Sequence, residues 1–399
     1  MPTIRSLTAI RAAIPLRQTI RHASHERTAN AALLIRCELD DGSVGWGEGL
    51  PRPYVTGETI ETAWGHTDRL GGLIGERADS LEAAAALTDA VTFEPPAGDP
   101  RGCLGNSVRC AAELALLDAV GRATGRPVMD LVQPLAVDPD FRPQPVCYAA
   151  VLPQAGTWRR ATYRAVRFRL FGIDQVKVKL GVDGFDDERT LRLYRRWLGR
   201  RIHSADANEG WSPDRLDAKL ALLRRHRVRF CEQPVPHAEA AALGGRAVSQ
   251  AAHDAGAPAI MLDESFCSLA DAETALDRGW ANAFNVRLSK CGGIVRSMRL
   301  VRWLLERSTD ERPIFVQLGC QVGETAILSA AGRAVAAWER SFEAVEGSYD
   351  RFLVAEPLSE EDITFGRGGL APPLHGPGLG ITIDDNAIAR VTRDRKLIA

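Results

Sequence analysis

No uncharged apolar run in the chain approaches the roughly 20 residues that a bilayer crossing needs, so no spanning helix is expected. The first residues, MPTIRSLTAIRAAIPLRQTIRHASHE, are basic, but Pro15, Arg17 and Arg21 interrupt them and no apolar stretch of signal-peptide type follows. Cysteine is sparse: there are eight in 399 residues, with no CxxC spacing. That excludes a disulfide scaffold, and no Cys/His cluster has the spacing of a zinc site. These absences together predict a cytoplasmic protein with reduced, buried thiols. A charge excess is also missing, since Lys plus Arg total 50, Asp plus Glu 51, and the net charge is −1. Neither a long basic run nor aromatic–basic interleaving is present, so neither nucleic acid nor a membrane is an expected partner.

The rest is globular in character, with 45% apolar and 25% charged residues. At roughly 150 residues per domain, the length suggests two or three domains. Residues 31–39 and 44–48 read as strands around an Asp40-Asp41-Gly42-Ser43 turn, which is a hairpin pattern. Helical patterns follow near 58–73, 80–91 and 106–124, the last with Ser107 as a candidate cap and Pro127 beyond its end. Residues 1–140 thus read as an α+β domain, bounded by the proline-rich stretch 134–145. Over 141–355, strand patterns recur at 147–151, 175–180, 202–205, 228–231, 259–262, 283–288, 314–318 and 342–346. Helical patterns intervene at 184–198, 213–226, 268–277, 294–305 and 324–337. Eight strands alternating with helices predict a (β/α) barrel. The runner-up, an open doubly wound sheet, lacks a GxGxxG after an early strand. Residues 356–399 are loop-rich, end in a short strand, and are expected to pack back on the first domain.

A barrel builds its active site at the C-terminal ends of its strands, and polar residues collect there. The second strand carries Lys177 and Lys179, which share one face because side chains alternate with period two. An exposed strand can show the same KxK. The third, fourth and fifth strands end in Asp206, Glu232 and Asp263. Each could cap the helix that follows. Three carboxylates converging on one axis, however, repel one another and lose hydration, which a hard divalent cation offsets. Mg²⁺ suits such an oxygen set, and Mn²⁺ takes it too. The sixth strand carries Arg287, with Lys290 three residues on and Gly292-Gly293 in a tight turn. Arg287 reads equally as a partner of the carboxylates or as a substrate contact.

The motifs KVK (177–179), DAN (206–208), EQP (232–234), DES (263–265) and KCGG (290–293), in this order, resemble the enolase superfamily. Within it the chain is most similar to the muconate-lactonizing-enzyme and mandelate-racemase relatives, over almost its whole length. The resemblance implies an α/β fold: a modified (β/α)7β barrel of TIM type under an α+β N-terminal capping domain. It implies Asp206, Glu232 and Asp263 as Mg²⁺ ligands and Lys179 as the base removing a proton next to a substrate carboxylate. Lys177 would contact that carboxylate or tune its neighbour. A homo-oligomer, dimer or octamer, is implied as well. The cation would stabilise the enediolate, and the base must be neutral to accept the proton.

The match breaks at two places. Relatives of the muconate type carry a lysine where this chain has Arg287, and the mandelate type has a histidine after the seventh strand, which here reads QLGCQVGE. A guanidinium stays charged and does not act as a base. The expectation is therefore one-base chemistry at Lys179, ending in β-elimination or cycloisomerisation, with Arg287 as an electrostatic clamp. The alternatives are racemisation or epimerisation of an amino acid derivative or hydroxy acid, and a non-catalytic anion-binding barrel. The substrate is expected to be a small carboxylate. Its candidate contacts are Arg21, His22, Arg52 and Tyr54 on the capping loops 16–26 and 50–58, and Asn208, Lys290, Cys320 and Glu346 at strand ends. Trp211 and Phe266 are candidates for the pocket rim, and the histidines outside the loops read as structural.

Overall fold

The structure is a computed structural model. It describes residues 2–22, 25–93, 101–154 and 157–399, with the side chains of 20–22 and 25–27 outside the description. The N-terminal sheet has four antiparallel strands in the order Thr392–Ile398, Ile4–His22, His25–Leu39 and Val44–Gly49. The expected hairpin is present. Of the segment expected as a loop at 16–26, the described residues 16–22 and 25–26 instead extend the two strands, with backbone pairing from Ile20 opposite Arg27 to His22 opposite His25. The C-terminal strand pairs Leu7 with Ile398, so the two ends of the chain share one sheet.

The helix Asn106–Thr124 lies on this sheet. Its N-cap is Gly105 rather than Ser107, whose hydroxyl donates to the buried Glu58 at 2.8 Å. The chain accommodates the helix through glycines at alternate positions of the strand Val44–Gly49. A Cβ on Gly45, Gly47 or Gly49 would fall 2.1, 1.8 or 2.0 Å from the helix backbone. Period two places all three on one face, and helix and strand backbones meet there without side chains between them.

The second sheet has eight parallel strands in sequential order: Ala150–Leu152, Val176–Lys179, Ile202–Asp206, Phe230–Glu232, Ala259–Leu262, Ala283–Val286, Phe315–Leu318 and Phe342–Val345. An isolated parallel bridge between Val345 of the last strand and Tyr148, two residues before the first, brings the two edges of the sheet together. The intervening helices include Asp187–Leu198, Leu216–Arg225, Leu269–Asp277, Ile294–Leu305 and Ala326–Trp338. Trp158–Phe171, after the first strand, has no counterpart in the sequence reading. Its arginines blur the apolar stripe, and only Ala161 and Ala165 are buried. At the barrel floor His203, Phe230, His253 and Phe315 stack in a chain of ring contacts 4.8 to 5.3 Å apart.

Candidate active site

Strand register places the polar residues. Lys179 lies opposite Asp206, and Asp206 opposite Glu232, so one row runs across three neighbouring strands. Asp263 follows at the end of the fifth strand. Asp206, Glu232 and Asp263 are all fully buried. Gln233 ties the fourth and fifth strand ends together. Its amide donates to Val235 O and Ser265 Oγ, and its Oε1 accepts from the backbone of Asp263 and Ser265. Its φ is +33°, and Asn208 and Glu209 have φ of +44° and +65°. Strained non-glycine backbone of this kind clusters at functional sites.

The two lysines of KVK have separate environments. Lys177 is buried; its Nζ lies 2.9 Å from Glu232, 2.8 Å from Glu346 and 3.8 Å from Asp206. Burial alone would lower its pKa, but Glu232, Glu346 and Asp206 outweigh that and hold it well above the usual lysine range. The expected contact with a substrate carboxylate is thus replaced by contacts with the protein's own. Lys179, with its side chain 27% exposed, reaches Asp206 at 2.7 Å and also bonds the Asn208 side chain. Asn208 returns a backbone N–H to Asp206 at 2.9 Å.

Arg287 bonds Asp263, and its Nη2 lies 3.8 Å from Glu232. Lys290 is fully buried and donates to the Asp263 carboxylate at 2.7 Å and to its carbonyl at 2.6 Å. It therefore holds Asp263 rather than facing substrate. Burial raises the Asp263 carboxyl, but Arg287 and Lys290 more than reverse this and hold it at about 2. Glu232 is pushed upward by burial, and Asp206, Asp263 and Glu346 add to this against the pull of Lys177. Asn285 donates to Glu232 at 2.9 Å. Gly319 is needed beside it, because a Cβ there would lie 2.2 Å from Asn285 Oδ1.

Other expected contacts sort differently. Arg21 and His22 lie on the hairpin, their side chains outside the described residues. Arg52 is 3% exposed and donates to the carbonyls of Ala31 and Pro51, which fixes its loop. Tyr54 packs against Val55, Cys103 and Cys267. Trp211 is buried and donates to Asp187 at 3.0 Å, and Phe266 is buried against Phe284, so neither forms a rim. Cys320 is half-buried. Glu346, buried, serves Lys177. Arg101 escaped the sequence reading. It grips Asp271 with two nitrogens, at 3.0 and 2.9 Å, and donates to Val55 O and Glu264 O, joining the loop 50–58 to the residue beside Asp263. Nothing in its local sequence marks it. A cavity of about 520 Å³ lined by Arg101, Arg296, Arg299 and Trp303 lies beside this clamp and includes none of the three carboxylates.

The carboxylates suit a hard divalent cation by chemistry: three buried oxygen donors on adjacent strand ends, with Glu232 pushed up by burial and then by the carboxylates around it. As they stand, no three His, Cys, Asp or Glu side chains among the described residues are grouped so as to hold a metal ion. The chain's own cations occupy them instead.

Residues 4–132 match the model of the mandelate racemase / muconate lactonizing enzyme N-terminal domain, and 160–387 that of the enolase C-terminal domain-like family. The chain therefore belongs to the enolase superfamily, in its mandelate racemase and muconate lactonizing branch, and its homologues are enzymes. An L-Lys-D/L-Arg epimerase of Methylococcus capsulatus is 29% identical over 361 residues, 88% of this chain and 91% of that one. A chloromuconate cycloisomerase of Cupriavidus pinatubonensis is 25% identical over 386 residues, 95% and 96% of the two chains. The crystal structure of a dipeptide epimerase from Cytophaga hutchinsonii, complexed with Mg and D-Ala-L-Val, superposes with a TM-score of 0.80 over the whole of both chains at 22% identity.

Proposed function

We propose that this protein removes the proton α to the carboxylate of a small substrate, with Lys179 as the base. The observation that carries this is the division of labour within KVK: Lys177 is buried among carboxylates, while Lys179 has an open edge at the strand ends. Asp206, Glu232 and Asp263 would hold a divalent cation, Mg²⁺ or Mn²⁺. When bound, that cation supplies Lewis-acid stabilisation of the negative charge gathering on the substrate carboxylate. Lys179 takes the proton, Asp206 and Asn208 orient its amine, and Arg287 supplies a permanent positive charge at the mouth. Residues 1–140 act as the cap, 141–355 as the catalytic barrel, and 356–399 as the tie between the chain's ends.

Because Arg287 cannot exchange a proton, the enediolate goes on by one-base elimination or cycloisomerisation. A second reading is favoured by the relatives, several of which are epimerases or racemases of dipeptides or N-succinylated amino acids. In that case Lys179 removes the proton and a group other than Arg287 returns one to the opposite face. The test is incubation in D₂O with Mg²⁺ and a panel of dipeptides, N-acyl amino acids, acid sugars and lactones, read by NMR and mass. Deuterium incorporation that is absent in Lys179→Ala supports the base assignment. Bond cleavage or ring formation selects the first reading, and inversion without cleavage the second. Exchange that persists in Lys179→Ala refutes the assignment.

A further inference from the structure

Four cations touch four carboxylates at the barrel mouth. Lys177, Lys179, Arg287 and Lys290 stand against Asp206, Glu232, Asp263 and Glu346. Among these groups the formal charges match, four against four, and the buried Glu264 also faces Arg287. The cations are not equivalent. Lys290 is locked from behind by the Asp263 carbonyl. Lys177 sits under the row, held between Glu232 and Glu346. Lys179 pairs with Asp206 and, among the described residues, with no other carboxylate. Arg287 alone bridges Asp263 and Glu232, two of the three donors a divalent ion would use.

From this we infer that Arg287 is a built-in counter-cation: it occupies the place between Asp263 and Glu232 in the free protein and leaves it when a divalent ion enters. The inference rests on the reading of these carboxylates as metal ligands. Its side chain is 12% exposed, so it is not sealed in as Lys290 is. The guanidinium is weakly hydrated and sits on a long stem, so it can turn outward and keep its charge. It cannot make way by losing a proton. Competition with the metal is therefore by displacement of the side chain. Turned outward, the same group faces an incoming carboxylate, which would favour loading of metal and anionic substrate together.

The test is direct binding of Mn²⁺ alone, followed by electron paramagnetic resonance of the free ion, for wild type, Arg287→Gln and Arg287→Lys. Asp263→Asn serves to locate the ion. Removing one competing buried ion pair should tighten binding by about tenfold or more in Arg287→Gln. Arg287→Lys, shorter and unable to span both carboxylates, should fall between; it also keeps the test decisive if the glutamine variant does not fold. Equal or weaker binding in the folded variants, with wild type binding normally, would overturn the counter-cation role and leave the proposed function standing. Absence of Mn²⁺ binding in every form overturns both.

Discussion

Lys177 and Lys179 are two residues apart on one strand, yet neighbours give them opposite duties. Lys177 compensates two buried carboxylates; replacing it with methionine takes from Glu346 its lysine and leaves Glu232 only the more distant Arg287. Loss of one partner from a buried charge cluster costs about 3–5 kcal/mol, so Lys177→Met should unfold at markedly lower urea. Lys179→Ala takes from the buried Asp206 the nearer of its two lysines, but from a side chain with an open edge, so it should cost less stability than Lys177→Met while losing α-proton exchange by on the order of a thousandfold or more. Equal destabilisation by the two would contradict the division of roles. His203 supports a prediction on pH. Burial, with Arg229 and His253 adding, depresses its pKa from 6.5 to about 4. The folded state thus favours the neutral ring, and the associated stability is complete above about pH 6.5 and is lost as pH falls toward 4. His203→Phe removes this contribution. The difference in unfolding free energy between variant and wild type should therefore shift by up to ~3 kcal/mol in favour of the variant between pH 7 and 4. A flat difference would show that the ring titrates normally.

At the scale of elements, the contact between the strand Val44–Gly49 and the helix Asn106–Thr124 depends on the absence of side chains. Gly47→Ala would place a methyl 1.8 Å from the Ala111 carbonyl oxygen, so helix and strand must separate. Overpacking of this kind costs roughly 1–3 kcal/mol or more. Gly42→Ala, in the hairpin turn at φ +86° with open space around it, should cost only about 1 kcal/mol of backbone strain. Thermal unfolding of the pair checks the order; a reversal would mean that the helix yields freely. The alternating GWGEG was visible in the sequence as strand, but its partner lies some 60 residues further on, beyond the reach of a local pattern. Arg101 shows the same limit: its partners at 55, 264 and 271 come together only in the folded chain.

At the scale of the whole molecule, buried carboxylates of the cap serve as caps for barrel helices. Glu48 accepts from the backbone of Thr325 and Leu328 and from the Thr325 hydroxyl, at the start of Ala326–Trp338. Glu113 accepts from Val295 N at 3.0 Å, at the start of Ile294–Leu305. Helix N-termini leave N–H groups unpaired, and a carboxylate satisfies them and favours the dipole. Cap and barrel should therefore unfold together. Glu48→Ala is expected to lower the stability of both by about 1–3 kcal/mol, since orphaned buried donors remain. Coincident transitions by near-ultraviolet circular dichroism and by proteolysis would agree; a cap that melts first would not.

The barrel's strands, the hairpin and the row of polar residues at the strand ends were legible from local pattern. Period two and the alternation of strand with helix are properties of short segments, and five ordered motifs point to one family. The substitution at Arg287 was equally plain. What the sequence alone could not supply was partnership. Arg52 and Lys290, read as substrate contacts, are buried on the protein's own carbonyls and on Asp263. Ser107, read as a cap, serves Glu58. Charged side chains in a closed barrel choose partners across strands that are distant along the chain, and burial makes those choices matter energetically. Composition and spacing thus determined which residues reach the barrel mouth; only tertiary packing decided which of them are occupied with one another and which, like Lys179, retain an open edge.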